Sequence, residues 1–152
     1  MKRTFAELIH ELGQELDIEL ELDHLNVCSI VVDEQYTVQL EQDKYKEYLI
    51  LGSAVLAISP GKFRENVLAT ALKANDIYPR PGTLAYRVAS NELILFKKMH
   101  LEDLTAKQIV DELSLFLDMV ETWKKAVDSG NIASLSTATP TKKETPNPFN
   151  IK

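Results

Sequence analysis

The sequence predicts an α+β fold in the order α-β-β-β-α-β-β-α, an antiparallel sheet with helices packed on it. Apolar residues recur at helical spacing near the start, around residues 63–72 and again over 109–127. Between these stretches, residues 27–58 and 83–99 are rich in Val, Ile, Leu and Tyr and are broken by short polar clusters. Strands in runs flanked by helices bury one sheet face under the helices. The chain has 152 residues, 45% apolar and 26% charged, which is the composition of one globular domain and excludes collagenous or wholly disordered classes.

Thr4-Phe5-Ala6-Glu7 has the pattern of a capping box, and Phe5, Leu8, Ile9, Leu12 and Leu16 follow as one apolar stripe, so the first helix is expected over 4–16. Its other face, Glu7, His10, Glu11, Gln14 and Glu15, is polar. Three strands are expected next, over 27–33, 35–41 and 46–58. In the middle one Tyr36, Val38 and Leu40 alternate with Gln35, Thr37, Gln39 and Glu41, the signature of a sheet covered on one side. Ser59-Pro60-Gly61 stops the third strand, and Phe63, Val67, Leu68, Ala71 and Leu72 mark a second helix over 62–76, ended by Pro79 and Pro81. Residues 83–89 and 92–99, joined by Ser90-Asn91, read as a hairpin. Thr105-Ala106-Lys107-Gln108 opens the longest helix, which Gly130 ends. This places the folded domain at residues 1–130 and a disordered Thr/Pro-rich tail at 131–152. The tail contains Asn147-Pro148-Phe149, a three-residue match to peptides bound by endocytic adaptors.

The formal charge is −6, and it is unevenly placed: residues 1–43 carry −9 and the rest +3. Such a chain lacks the basic face that phosphate neutralisation requires, which argues against a general nucleic-acid binder and suits a basic partner. The longest apolar run falls well short of a membrane span, so no membrane insertion is expected. Cys28 is the only cysteine and sits in the apolar run Val27-Cys28-Ser29-Ile30-Val31, which points to a buried thiol in a reducing, cytoplasmic setting.

No catalytic constellation is legible. The five glycines are scattered, so there is no phosphate-cradling loop. His10, His24 and His100 lack the i, i+4 spacing of a helix-borne metal site. Asp33-Glu34 and Asp111-Glu112 are adjacent in sequence without convergent partners. The expectation is a binding protein with no catalytic residue, metal or cofactor.

Several strings resemble one family, the class I chaperones of bacterial type III secretion, also called the Tir-chaperone or CesT/SycE-like group. They are the run from Leu25 to Tyr36, Tyr48-Leu49-Ile50-Leu51-Gly52, Leu84-Ala85-Tyr86-Arg87 leading into Glu92-Leu93-Ile94-Leu95, and Leu101-Glu102-Asp103-Leu104-Thr105 before the last helix. The resemblance spans about residues 4–130 and is one of pattern. It implies a bacterial, cytoplasmic homodimer that hydrolyses nothing. Such a dimer holds the N-terminal chaperone-binding segment of secreted effectors in extended form, keeps it soluble and delivers it to the secretion-apparatus ATPase. An extended segment of this kind adds a strand to a sheet edge while its side chains enter apolar grooves.

By position, the resemblance makes Phe5, Leu8, Ile9, Leu12, Ile30, Val32 and Tyr36 candidates for effector binding, and Val67, Leu68, Leu72 and Tyr86 candidates for the dimer interface. Each of these side chains would serve equally well as core. The second helix departs from the family pattern at Lys73-Ala74-Asn75-Asp76-Ile77-Tyr78, where relatives often carry a larger apolar or Trp-containing segment. The alternative reading is a small α+β adaptor or ligand-binding domain with a dispersed site.

Overall fold

The computed structural model describes residues 2–133 and Leu135. Its elements are α1 (Phe5–Leu16), β1 (Cys28–Val32), β2 (Tyr36–Gln42), β3 (Tyr48–Ala57), α2 (Lys62–Asn75), β4 (Thr83–Arg87), β5 (Glu92–His100) and α3 (Ala106–Ser129). The expected order is the observed one. The strands form one five-stranded sheet in the order β1-β2-β3-β5-β4, so β1 and β4 are its end strands. Most of the expected tail lies outside the described residues, although Leu135 is buried.

The described residues divide into two compact units, one comprising residues up to Gly52 with Lys98–Ser114, the other Ser53–Lys97 with α3 from Leu115 to its end at Ser129. In the first unit, Thr4 caps α1 as its sequence predicts. The Glu7 N–H donates to the Thr4 hydroxyl at 3.2 Å, and the Thr4 N–H donates to the Glu7 carboxylate at 2.6 Å. The whole α1 stripe of Phe5, Leu8, Ile9, Leu12 and Leu16 is buried. The alternating set of Cys28, Ile30 and Val32 on β1 and Val38 and Leu40 on β2 is buried too. Antiparallel pairing aligns Ile30 with Val38 and Cys28 with Leu40, which puts these side chains on one sheet face. The Arg3 guanidinium donates to the Leu104 carbonyl and to Glu11 at 2.7 Å, tying the start of the chain to the approach to α3.

In the second unit, Val67, Ala71 and Ala74 form the buried stripe of α2, and Leu84, Leu93 and Leu95 are buried on the β4–β5 hairpin. From Phe116 to Val127, α3 contributes a further apolar row with Phe116, Val120 and Trp123 buried.

Strand ends are shorter than expected where a residue takes positive φ. Asp33 (52°) and Glu34 (56°) make the β1–β2 turn, and Lys46 (59°) cannot start β3. Residues 88 and 89 leave β4 because Asn91 turns at φ 54°, with its N–H on the Val88 carbonyl. The Ile58 N–H then donates to the Asn91 carbonyl at 2.8 Å, holding that turn in place.

Candidate functional site

α1 ends at Asp17, which adopts the left-handed conformation (φ 55°) and donates its N–H to the Gln14 and Gly13 carbonyls. Ile18 follows with an N–H on the Gly13 carbonyl at 3.0 Å, so the chain doubles back closely over the helix. From there Ile18, Leu20 and Leu22 are half-buried while Glu19, Glu21 and Asp23 are exposed, an alternation that turns three carboxylates outward. Asp23 ends the segment in a tight turn, its carboxylate accepting the N–H groups of Leu25 (2.8 Å) and Val27 (3.0 Å). Those bonds, that of Val27 foremost, hold the Asp23 carboxyl below its ordinary value.

This geometry leaves an open cleft of about 430 Å³ lined by Glu19, Glu21, Asp23, Val27 and Ser29. Ser29 belongs to β1, whose outer edge no described strand pairs. On the face of β1 opposite the buried residues, Val31 is 53% exposed, and Leu25 stands out beside the Asp23 turn. The site is therefore a strand edge with an apolar side chain on it and an acidic wall at one end. A cationic extended peptide matches both features, through main-chain pairing along β1 and charge attraction to the wall.

Six of the seven residues expected to bind a partner, Phe5, Leu8, Ile9, Leu12, Ile30 and Val32, are covered by the chain itself. Tyr36 is half-buried. Among the dimer candidates, Val67 is fully buried, Leu68 and Tyr86 are half-buried and Leu72 is 73% exposed. Phe63, Tyr78 and Val88 are also exposed in the same unit. Sequence reasoning missed the acidic wall; the alternation Ile18-Glu19-Leu20-Glu21-Leu22-Asp23 is the signal that could have found it, but no periodicity indicates that Val27 and Ser29 complete a cleft with it.

Burial pushes the Cys28 thiol up, away from the thiolate needed for nucleophilic chemistry. Among the described residues no group of three His, Cys, Asp or Glu side chains stands close enough to hold a metal ion. No helix formed by them is long and apolar enough to cross a membrane.

Residues 7–124 match the model of the Tir chaperone protein (CesT) family, and the chain belongs to that family. Three solved structures share the fold. A chain in the structure of the Yersinia pestis type III secretion chaperone SycH with a stable fragment of YscM2 superposes with a TM-score of 0.62 at 18% identity, covering 79% of this chain and 99% of that one. A chain of the HopA1–SchA chaperone–effector complex gives 0.66 at 19% identity, covering 78% and 91%. A chain of the ExoT–SpcS complex from Pseudomonas aeruginosa gives 0.61 at 22% identity, covering 80% and 98%. A sequence search of curated proteins finds no match.

Proposed function

We propose that this protein is a non-enzymatic bacterial type III secretion chaperone that binds the N-terminal segment of one or more secreted effectors in extended form. The match to the Tir chaperone family over residues 7–124 carries the reading. The unpaired outer edge of β1 supports it, because an extended segment gains main-chain hydrogen bonds there without having to fold. The protein works in the cytoplasm as a homodimer, keeps the effector soluble and hands it to the secretion-apparatus ATPase. The exposed apolar residues Phe63, Leu72, Tyr78 and Val88 of the second unit supply the dimer contact, with Leu68 and Tyr86 at its margin and Val67 as the core beneath. In the first unit the six buried candidates hold α1 and the sheet in shape, while Tyr36, Val31 and Leu25 offer side-chain surface to the effector.

The acidic wall selects effectors whose binding segment is basic. Reversing Glu7, Glu11 and Glu15 on α1 is a poor test of this, because Glu7 belongs to the capping box and Glu11 pairs with Arg3. Glu19 and Glu21 line the cleft and give the cleaner one. The Glu19→Lys/Glu21→Lys double variant is expected to weaken capture about tenfold or more at low salt and less at high salt, since exposed charges are screened. Unchanged affinity at low salt would exclude charge selection.

The reading itself is tested by capturing partners of the full chain from its native host and mapping the complex by limited proteolysis and mass spectrometry. A secreted protein protected over one N-terminal stretch is the expected result. Recovery of a folded partner with no protected terminal stretch would overturn it.

A further inference from the structure

The two end strands of the sheet differ at their outer edges. Asn75, the last residue of α2, places its side-chain amide against the main chain of Leu84 in β4. Its oxygen accepts the Leu84 N–H at 2.9 Å, and its NH2 group donates to the Leu84 carbonyl at 2.9 Å. These are the two hydrogen bonds that a residue of a neighbouring strand would make.

Leu84 thus turns its polar main-chain groups away from β5, and by alternation Tyr86 is the next outward-facing residue of this five-residue strand. Arg64, Leu68, Ala71 and Asn75 lie at i, i+4, i+7 and i+11, one stripe of α2. At the other end of that stripe, the Arg64 guanidinium donates to the Tyr86 hydroxyl at 2.9 Å and to the Asn91 side-chain oxygen at 3.2 Å. The helix is laid along β4 and pinned at both ends.

We infer that Asn75 is a positioning residue that stands in for a sixth strand. It closes the β4 edge to strand pairing and so leaves β1 as the edge at which a chain can be added. An unguarded strand edge is a template for its own kind. With Asn75 removed, the occupant of the opened edge is β4 of a second copy, paired antiparallel. This inference requires no effector, so it stands or falls separately from the function proposed above.

The test is amide hydrogen exchange together with sedimentation on the full chain and its Asn75→Ala variant. In the wild type the Leu84 amide is expected to be protected, and in the variant at high dilution it is expected to exchange about tenfold faster, with Ala85 little changed. As concentration rises, the variant is expected to associate beyond the wild-type assembly state and to regain Leu84 protection. Equal Leu84 rates in the two proteins, or no association beyond the wild-type size, would overturn the inference.

If Asn75→Ala does not fold, Asn75→Asp serves in its place. It keeps an acceptor for the Leu84 N–H but sets a carboxylate oxygen against the Leu84 carbonyl, and the same association is expected. A wild-type Leu84 amide that exchanges at the unbonded rate overturns the inference without any variant.

Discussion

A methyl group on Gly13 would lie 2.8 Å from the Ile18 carbonyl oxygen, a main-chain atom rather than the yielding end of a side chain. Gly13→Ala should therefore push residues 17–18 off the end of α1 and destabilise the protein by about 1–3 kcal/mol in urea unfolding, the range seen for overpacked sites. Wild-type stability in the variant would show that the turn after α1 moves without cost. Asp43 is a different kind of local determinant. Its carboxylate accepts the N–H groups of Tyr48 (2.8 Å), Glu47 (2.8 Å) and Tyr45 (3.3 Å), and these bonds, that of Tyr48 first, hold its carboxyl below the ordinary range, with Lys98 adding to the effect. A carboxyl depressed in the folded state stabilises above its unfolded value, and that contribution is lost as pH falls through the folded one. Stability should accordingly be level near neutrality and decline below about pH 4, and Asp43→Asn should flatten part of that decline. An unaltered pH profile in the variant would remove Asp43 from the account.

α1 and β1 show how amphipathic elements divide their labour. Leu12 has no exposed surface, so Leu12→Ala should cost about 2–5 kcal/mol through lost burial and the cavity left behind. Val31 projects from the opposite face of β1, and Val31→Lys should leave stability within about 0.5–1 kcal/mol of wild type, given its exposure. If the β1 edge receives a basic effector segment, Val31→Lys loses affinity for it while folding normally, as calorimetry on the purified pair would measure. Full affinity in Val31→Lys would move the contact elsewhere. Several features of these elements were readable in advance because they are local. The Thr4/Glu7 box is one, and the Thr105/Gln108 box, with the Gln108 N–H on the Thr105 hydroxyl at 3.2 Å, is another. The strand ends were not, since Asp33, Glu34, Lys46 and Asn91 take positive φ without being glycine.

For the whole molecule, the exposed apolar residues of the second unit predict self-association. Leu72, Tyr78 and Val88 are 73%, 85% and 77% exposed, and burial of such side chains between two copies would remove apolar surface from water. Leu72→Glu should leave the fold and its thermal unfolding nearly unchanged, and it should shift a dimer toward monomer by at least about tenfold in dissociation constant, since a charge desolvated at an interface is costly. A sedimentation profile identical to wild type would place the dimer contact away from α2.

The apolar stripe of Phe5, Leu8, Ile9 and Leu12 shows where sequence reasoning ends. Its spacing specified a helix with one buried face, and the covering of that face by the chain itself appeared only on folding. The same holds for Ile30 and Val32, whose alternation set the strand but not what would lie against it. Element order, capping, the acidic first third and the likeness to the Tir chaperones were written in short-range patterns and composition, because periodicity and caps act over a few residues. The cleft that joins Glu19, Glu21 and Asp23 to Val27 and Ser29, the burial of candidates for binding, and the pairing of Asn75 with Leu84 came from tertiary structure. Hydrogen-bond partners and solvent cover depend on which segments meet in space, and that is decided by packing rather than by the pattern of any one segment.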